Sequence, residues 1–182
     1  VNMKIFFVTG NKEKYREVKE ILEGFEVEQI EVDLPELQGE PDDIVKEKAK
    51  LAADKTGKTV FVEDTCLCFN ALKGLPGPYI KAFVEKIGIP GLYELANKYE
   101  DRGAVAVASI GFCEAGKKPM VFQGKVKGLI VPPKGSTRFQ WDQIFMPEGY
   151  DKAFAEMRIE EKNKISHRRL AFEEFRKWLE TQ

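Results

Sequence analysis

The segment TVFVED, residues 59–64, decides how the rest of the chain is read. Thr59 to Val62 is a short run of β-branched and aromatic residues, a strand of the buried type, and it leads straight into Glu63 and Asp64. In α/β sheets ligands collect at the carboxyl ends of strands, which makes these two carboxylates candidates for chemistry. As neighbours on extended backbone they leave opposite faces, so they do not both enter one site. Asp64, nearer the following loop, is the better candidate. Solvated acids at a strand end are the ordinary alternative.

The flanks on both sides read as mixed α/β. Met3 to Thr9 is a short apolar strand, and NKEKYREVKEILEG (11–24) repeats Tyr15, Val18, Ile21 and Leu22 at helical spacing until Gly24. Val27 to Val32 alternates with charged residues as a half-buried strand, and LPELQGEP (34–41) is a Gly/Pro loop. Pro41 opens a helix that Gly57 closes. Downstream, LKGLPGPY (72–79) is a second loop, followed by two helical stretches, 80–88 and 91–99, on either side of Pro90. AVAVASIGFC (104–113) and MVFQGKVKGLIV (120–131) make an antiparallel hairpin in which Phe122, Val126 and Ile130 share a face. Residues 132–151 form a long irregular segment, and 164–182 a closing helix with Ala171, Phe172, Phe175, Trp178 and Leu179 inward. The organisation is one α/β domain over residues 1–182, pinched into two lobes, with a mixed central sheet and flanking helices.

Composition excludes several classes. The 182 residues carry 29 Lys and Arg against 30 Asp and Glu, a formal net charge of -1, with one His and three Cys. A general nucleic-acid binder normally shows a marked basic excess. One histidine cannot build an HExxH or three-histidine zinc site. Cys66, Cys68 and Cys113 lack zinc or redox spacing and read as reduced, structural residues of a cytoplasmic chain. No apolar run approaches the roughly 18 residues of a membrane span, and the first residues do not read as a signal peptide.

Four groups carry candidate chemistry. Thr9, Gly10, Asn11 and Lys14 stand where a strand hands over to a helix whose free N–H groups suit an anion; a plain helix entry is the alternative. Glu40 and Asp64 offer oxygens to a hard cation such as magnesium. Phe139 and Trp141 could sandwich a flat ring while Asp142 accepts from its N–H groups, or the aromatics could plug the core. In KNKISHRR (162–169), Lys162, Ser166, His167 and Arg168 offer positive charge and a donor near a helix start, where Ser166 could equally be an N-cap and His167 an ordinary surface residue. Together they supply a base slot, a phosphate cradle and metal-binding acids.

These blocks, in order VTGNKEK (8–14), LPELQGEP, VEDTCLCFNALKGLPGPYIKAF (62–83), FQGKVKG (122–128), FQWDQIFMPEGY (139–150) and AEMRIEEKNKISHR (155–168), resemble the inosine triphosphate pyrophosphatase, Ham1-like family, on its eukaryotic side. The resemblance implies a two-lobed fold with a cleft, a homodimer, and hydrolysis of deaminated purine nucleoside triphosphates to monophosphate and pyrophosphate. It implies magnesium, with manganese able to substitute, on Glu40 and Asp64. Thr9, Asn11 and Lys14 match the phosphate turn, and Lys81, in GPYIK, an active-site lysine. Phe139, Trp141 and Asp142 match the base-stacking and base-recognising group, and Lys162, Ser166, His167 and Arg168 the element that contacts base and phosphate. Gln143 replaces a proline common in the family, and Cys66 and Cys68 replace a Gly-containing form. It implies nucleotides as the partners, with neither a stable nucleic-acid partner nor a membrane. A broader nucleotide pyrophosphatase and a non-catalytic nucleotide or single-stranded nucleic-acid binding module remain as alternatives.

Overall fold

A computed structural model describes residues 3–136 and 140–182, which leaves Phe139 outside the described residues. The elements are β1 (Lys4–Val8), α1 (Lys12–Ile21), β2 (Glu26–Ile30), α2 (Pro41–Thr56), β3 (Val60–Phe69), β4 (Pro76–Gly77), α3 (Ile80–Asn97), β5 (Gly103–Cys113), β6 (Met120–Ile130), β7 (Phe145–Pro147), α4 (Ile159–Ile165) and α5 (His167–Glu180). The strands form one sheet of order β2-β1-β3-β5-β6-β7, with β4 paired to β3. β5 and β6 are neighbours joined by only the residues 114–119, too short a link for a parallel crossover, so the hairpin is antiparallel. The fold is mixed α/β, with a central sheet and flanking helices.

The chain divides into two compact units. The first comprises Val1–Asp64, Ala108–Gly124 and Arg168–Gln182; the second comprises Thr65–Val107 and Lys125–His167. In the first, β1 pairs in parallel with β2 and with β3, Phe7 standing opposite Gln29 and Phe61. Right-handed crossovers that step from β1 out to β2 and back to β3 place their two helices on opposite faces. The packing shows this. Phe7, Phe61 and Phe112 pack with Val18 of α1 and with Phe172 and Phe175 of α5. Val60, Val62 and Cys113 pack with Val45, Ala49 and Ala52 of α2. Phe7 and Phe61 stack at 4.6 Å between ring centroids, and Phe175 lies against Phe61, Phe112 and Phe122.

α2 begins at Pro41, whose missing N–H costs nothing in a first turn, and stops at Gly57, left-handed at φ 69°. It lies so close to β5 that a Cβ at Gly111 would stand 2.1 Å from the Val45 carbonyl oxygen. In the second unit, Leu67 and Phe69 of β3, Ile80, Val84 and Leu92 of α3, and Phe145 and Phe154 form the core. The two helical stretches around Pro90 appear as α3 with a break at Gly88.

Three expectations change. β3 does not end at Asp64 but continues to Phe69, so both carboxylates sit mid-strand, stabilised by cations from other elements. The segment 132–151 is not wholly irregular: residues 140–144 turn as a 3-10 helix and β7 pairs antiparallel with β6, Phe145 opposite Ile130. The closing helix is two, α4 and α5, divided at Ser166, whose backbone is extended at φ -69° and ψ 156°. Ala171, Phe172, Phe175 and Leu179 are buried as expected. Among the described residues no helix is long and apolar enough to cross a membrane.

Candidate functional site

Strand alternation in β3 arranges the first unit's charges. Glu63 shares parity with Phe61 and so leaves β3 on the face covered by α1 and α5. Its side chain has no exposed surface; Oε2 accepts from Arg168 Nε at 2.6 Å and Oε1 lies 3.4 Å from Lys14 Nζ. Arg168, also buried, donates from Nη1 to Glu17 of α1 at 3.1 Å. Three elements therefore meet on one carboxylate.

Asp64 shares parity with Val62 and faces α2. There Lys48 Nζ donates to both of its oxygens at 3.0 Å, in a half-exposed pair. Glu40, the N-cap of α2, is exposed, and its side chain makes no capping bond. Two residues on, Asp42 accepts from Gln123 Nε2, which also reaches Ser109 Oγ at 3.0 Å. Among the described residues no three His, Cys, Asp or Glu side chains stand together as a metal cluster. Magnesium takes one or two carboxylates and completes its shell with water and phosphate oxygens; the carboxylates in question are Asp64, engaged by Lys48, and the exposed Glu40.

At the start of α1 the plain helix entry is what the geometry displays. Asn11 Oδ1 accepts from the N–H groups of Glu13 and Lys14 at 3.0 Å each, and Thr9 Oγ1 accepts from Asn11 N at 3.1 Å. Gly10 is exposed in the turn. Lys14 projects from the first turn to Glu63 and touches its carbonyl oxygen at 3.5 Å.

The second unit holds the other group. Lys162 of α4 reaches Asp142 Oδ2 at 2.5 Å, with side chains 15% and 3% exposed. Lys162, from the element expected to contact base and phosphate, thus stands beside the base-recognition candidate Asp142. The Lys162 ammonium also lies 5.4 Å from the Phe154 ring centroid. Trp141 is buried, edge-on to Phe145 and 5.3 Å from His167, so it packs as the core plug that sequence reading set beside stacking. His167 is no surface residue: it is buried between Trp141 and Phe154, whose ring lies 5.9 Å away. Ser166 is buried beside it, and Lys81 is exposed in the first turn of α3.

The model of the Ham1 family matches residues 5–178. The chain belongs to the Ham1 family. It is 52% identical over 179 residues to a protein of Tuber melanosporum named inosine triphosphate pyrophosphatase, covering 97% of this chain and 96% of that one. A protein of the same name from Pyricularia oryzae is 50% identical over 174 residues, covering 94% and 91%. Among solved structures, a HAM1 protein from Coxiella burnetii superposes with a TM-score of 0.90 at 26% identity, covering 99% and 100%. The Staphylococcus aureus Ham1 protein gives 0.85 at 29%, covering 98% of each.

Within this Ham1-family chain, sequence reasoning missed Lys48, Glu17, Gln123 and Ser109. For Lys48 the available signal was its position two turns after Glu40 on the same helix. Glu17 and Gln123 acquire partners 151 and 81 residues away, which no local pattern marks.

Proposed function

We propose that the protein is a nucleoside triphosphate pyrophosphohydrolase that converts ITP, dITP and XTP to the monophosphate and pyrophosphate. The observation that carries this reading is Asp64, half-exposed with both oxygens on Lys48, directly following a buried carboxylate that gathers Lys14 and Arg168. The near full-length identity to proteins named inosine triphosphate pyrophosphatase supports the same reading.

In the reaction, water attacks the α-phosphorus and pyrophosphate leaves. Asp64 accepts the proton from that water, and Lys48 holds the carboxylate in place. Lys14, Lys81 and Arg168 offset phosphate charge, with Thr9, Gly10 and Asn11 shaping the turn that presents Lys14. Glu40 and Asp64 would hold a divalent cation, magnesium or manganese, which would supply polarisation of the phosphoryl oxygens and stabilisation of the leaving group. The base is read in the second unit. Asp142 accepts from the purine N1–H and Lys162 donates to the 6-oxo group, with Phe139, Ser166 and His167 as further base contacts and Trp141 buried against His167. Adenine carries an amino donor and a bare ring nitrogen at that edge, which leaves both protein groups mismatched. The protein acts as one domain of two lobes, a cytoplasmic homodimer with no stable nucleic-acid or membrane partner.

The test is a magnesium-dependent panel of ITP, dITP, XTP, GTP and ATP, scored for pyrophosphate against orthophosphate. Pyrophosphate from ITP, dITP and XTP but not from ATP is expected, with Asp64→Asn binding ITP but not turning it over. Tight ITP binding by the wild type without pyrophosphate release would refute the enzymatic reading.

A further inference from the structure

We infer that Glu63 is a positioning residue that sets the phosphate-reading cations in place. The inference rests on the proposed phosphate role of Lys14 and Arg168. Glu63 engages both: its carboxylate accepts from Arg168 Nε at 2.6 Å and approaches Lys14 Nζ at 3.4 Å, and its carbonyl oxygen lies 3.5 Å from that ammonium. Lysine and arginine side chains lose much rotamer freedom when held, and their heads stay where a fixed acceptor holds them. Glu63 is such an acceptor because it is fully buried on the middle of a strand, its neighbours Phe61 and Val62 in the two cores.

Its position also separates it from the metal chemistry proposed for Asp64. Alternation along β3 sends Asp64 toward Lys48 of α2 and Glu63 toward α1 and α5, so one strand serves two tasks through adjacent acids. Arg168 is held from the other side by Glu17, which makes Glu17 a second, weaker anchor for the same guanidinium.

A positioning role and a purely electrostatic one predict opposite signs. Replacing Glu63 by Gln removes a negative charge beside two cations, which by charge alone tightens the binding of an anion. If Glu63 positions the cations, their loosened heads bind phosphate less well despite that gain.

The experiment measures inorganic tripolyphosphate binding by calorimetry on the full chain, without metal, for wild type, Glu63→Gln and Glu17→Gln. The magnesium concentration giving half-maximal pyrophosphate release from ITP is measured alongside. For Glu63→Gln the expected result is about tenfold weaker tripolyphosphate binding, the loss of roughly one charge-assisted hydrogen bond, with KM for ITP raised to match and magnesium activation unchanged. Should that variant fail to fold, Glu17→Gln is expected to weaken tripolyphosphate about threefold, as a half-buried partner of Arg168 alone. Unchanged or tighter binding in the folded variant overturns the inference, as does a shifted magnesium dependence, which would make Glu63 a metal ligand. A wild type that binds no tripolyphosphate overturns it too. A wild type that binds tripolyphosphate but releases no pyrophosphate from ITP refutes the proposed enzymatic function and leaves the Glu63 comparison decisive.

Discussion

Asp142→Asn keeps the shape of the side chain and removes its charge. In the native protein the Asp142 side chain is 3% exposed and that of Lys162 15%, with Nζ 2.5 Å from Oδ2. The ammonium would then keep its desolvation cost and lose its counter-charge; removing one member of such a buried pair costs about 3–5 kcal/mol. For a chain of 182 residues each kcal/mol lowers the melting temperature by about 2–4 °C, giving an expected drop of about 6–20 °C. Adding Lys162→Met removes the stranded charge, so the double variant should recover part of the loss, a coupling of about 0.5–3 kcal/mol. The same substitution should cut the kcat/KM preference for ITP over ATP about tenfold or more, because the acceptor for the purine N1–H changes character. Thermal unfolding of the four proteins in the cycle, with pyrophosphate release on both nucleotides, reads both effects. A single variant melting within about 2 °C of wild type, or additive losses in the double variant, would show that the pair does not anchor the second unit.

Two further substitutions probe the first unit. Gly111→Ala places a Cβ 2.1 Å from the Val45 carbonyl oxygen and 2.6 Å from its carbon, helix backbone that cannot yield locally. It should cost about 1–3 kcal/mol or more, read as a lower urea midpoint, and a wild-type midpoint would contradict the close approach of α2 and β5. Burial pushes the Cys113 thiol above its ordinary value, outweighing the nearby Lys50 charge. The folded state therefore holds this proton after the unfolded chain has lost it. Its stabilising contribution is complete below the ordinary thiol value and is lost as pH rises through the raised one. Unfolding free energy should fall between pH 8 and 10 by more in wild type than in Cys113→Ala; parallel profiles would refute the assignment.

The elements that were legible in the sequence are those whose signals are local. Pro41 and Gly57 bracket α2 because one lacks an N–H that a first turn does not need and the other accepts a left-handed backbone. Alternation also placed Glu63 and Asp64 on opposite faces before any partner was known. The length of β3 was not legible, since two consecutive acids read as a strand end unless cations arrive from elsewhere, and Arg168 arrives from 105 residues away. β7, three residues long, exists through its pairing with β6 rather than through its own pattern. The surface alternative for His167 fails for the same reason: a histidine between serine and arginine reads as surface, and its burial comes from Trp141 and Phe154.

One segment of the first unit ends at Asp64 and another begins at Arg168, so VEDT and SHR each give adjacent residues to different units. Glu63 and Asp64 belong to one and Thr65 to the other; Arg168 belongs to one and His167 to the other. The near-neutral total of 29 basic against 30 acidic residues includes charges paired inside the fold. At these positions it comes from pairing: Glu63 with Lys14 and Arg168, Asp64 with Lys48, Asp142 with Lys162. A cation already held by a carboxylate gains from an incoming phosphate only the difference between the two partners. Long-range attraction then contributes little, and what discriminates is whether the anion's oxygens meet cations at fixed positions. Under the proposed function, cations paired in this way favour a small polyanion of defined geometry over the counterion-release binding of a nucleic-acid backbone, whose strength scales with uncompensated positive charge.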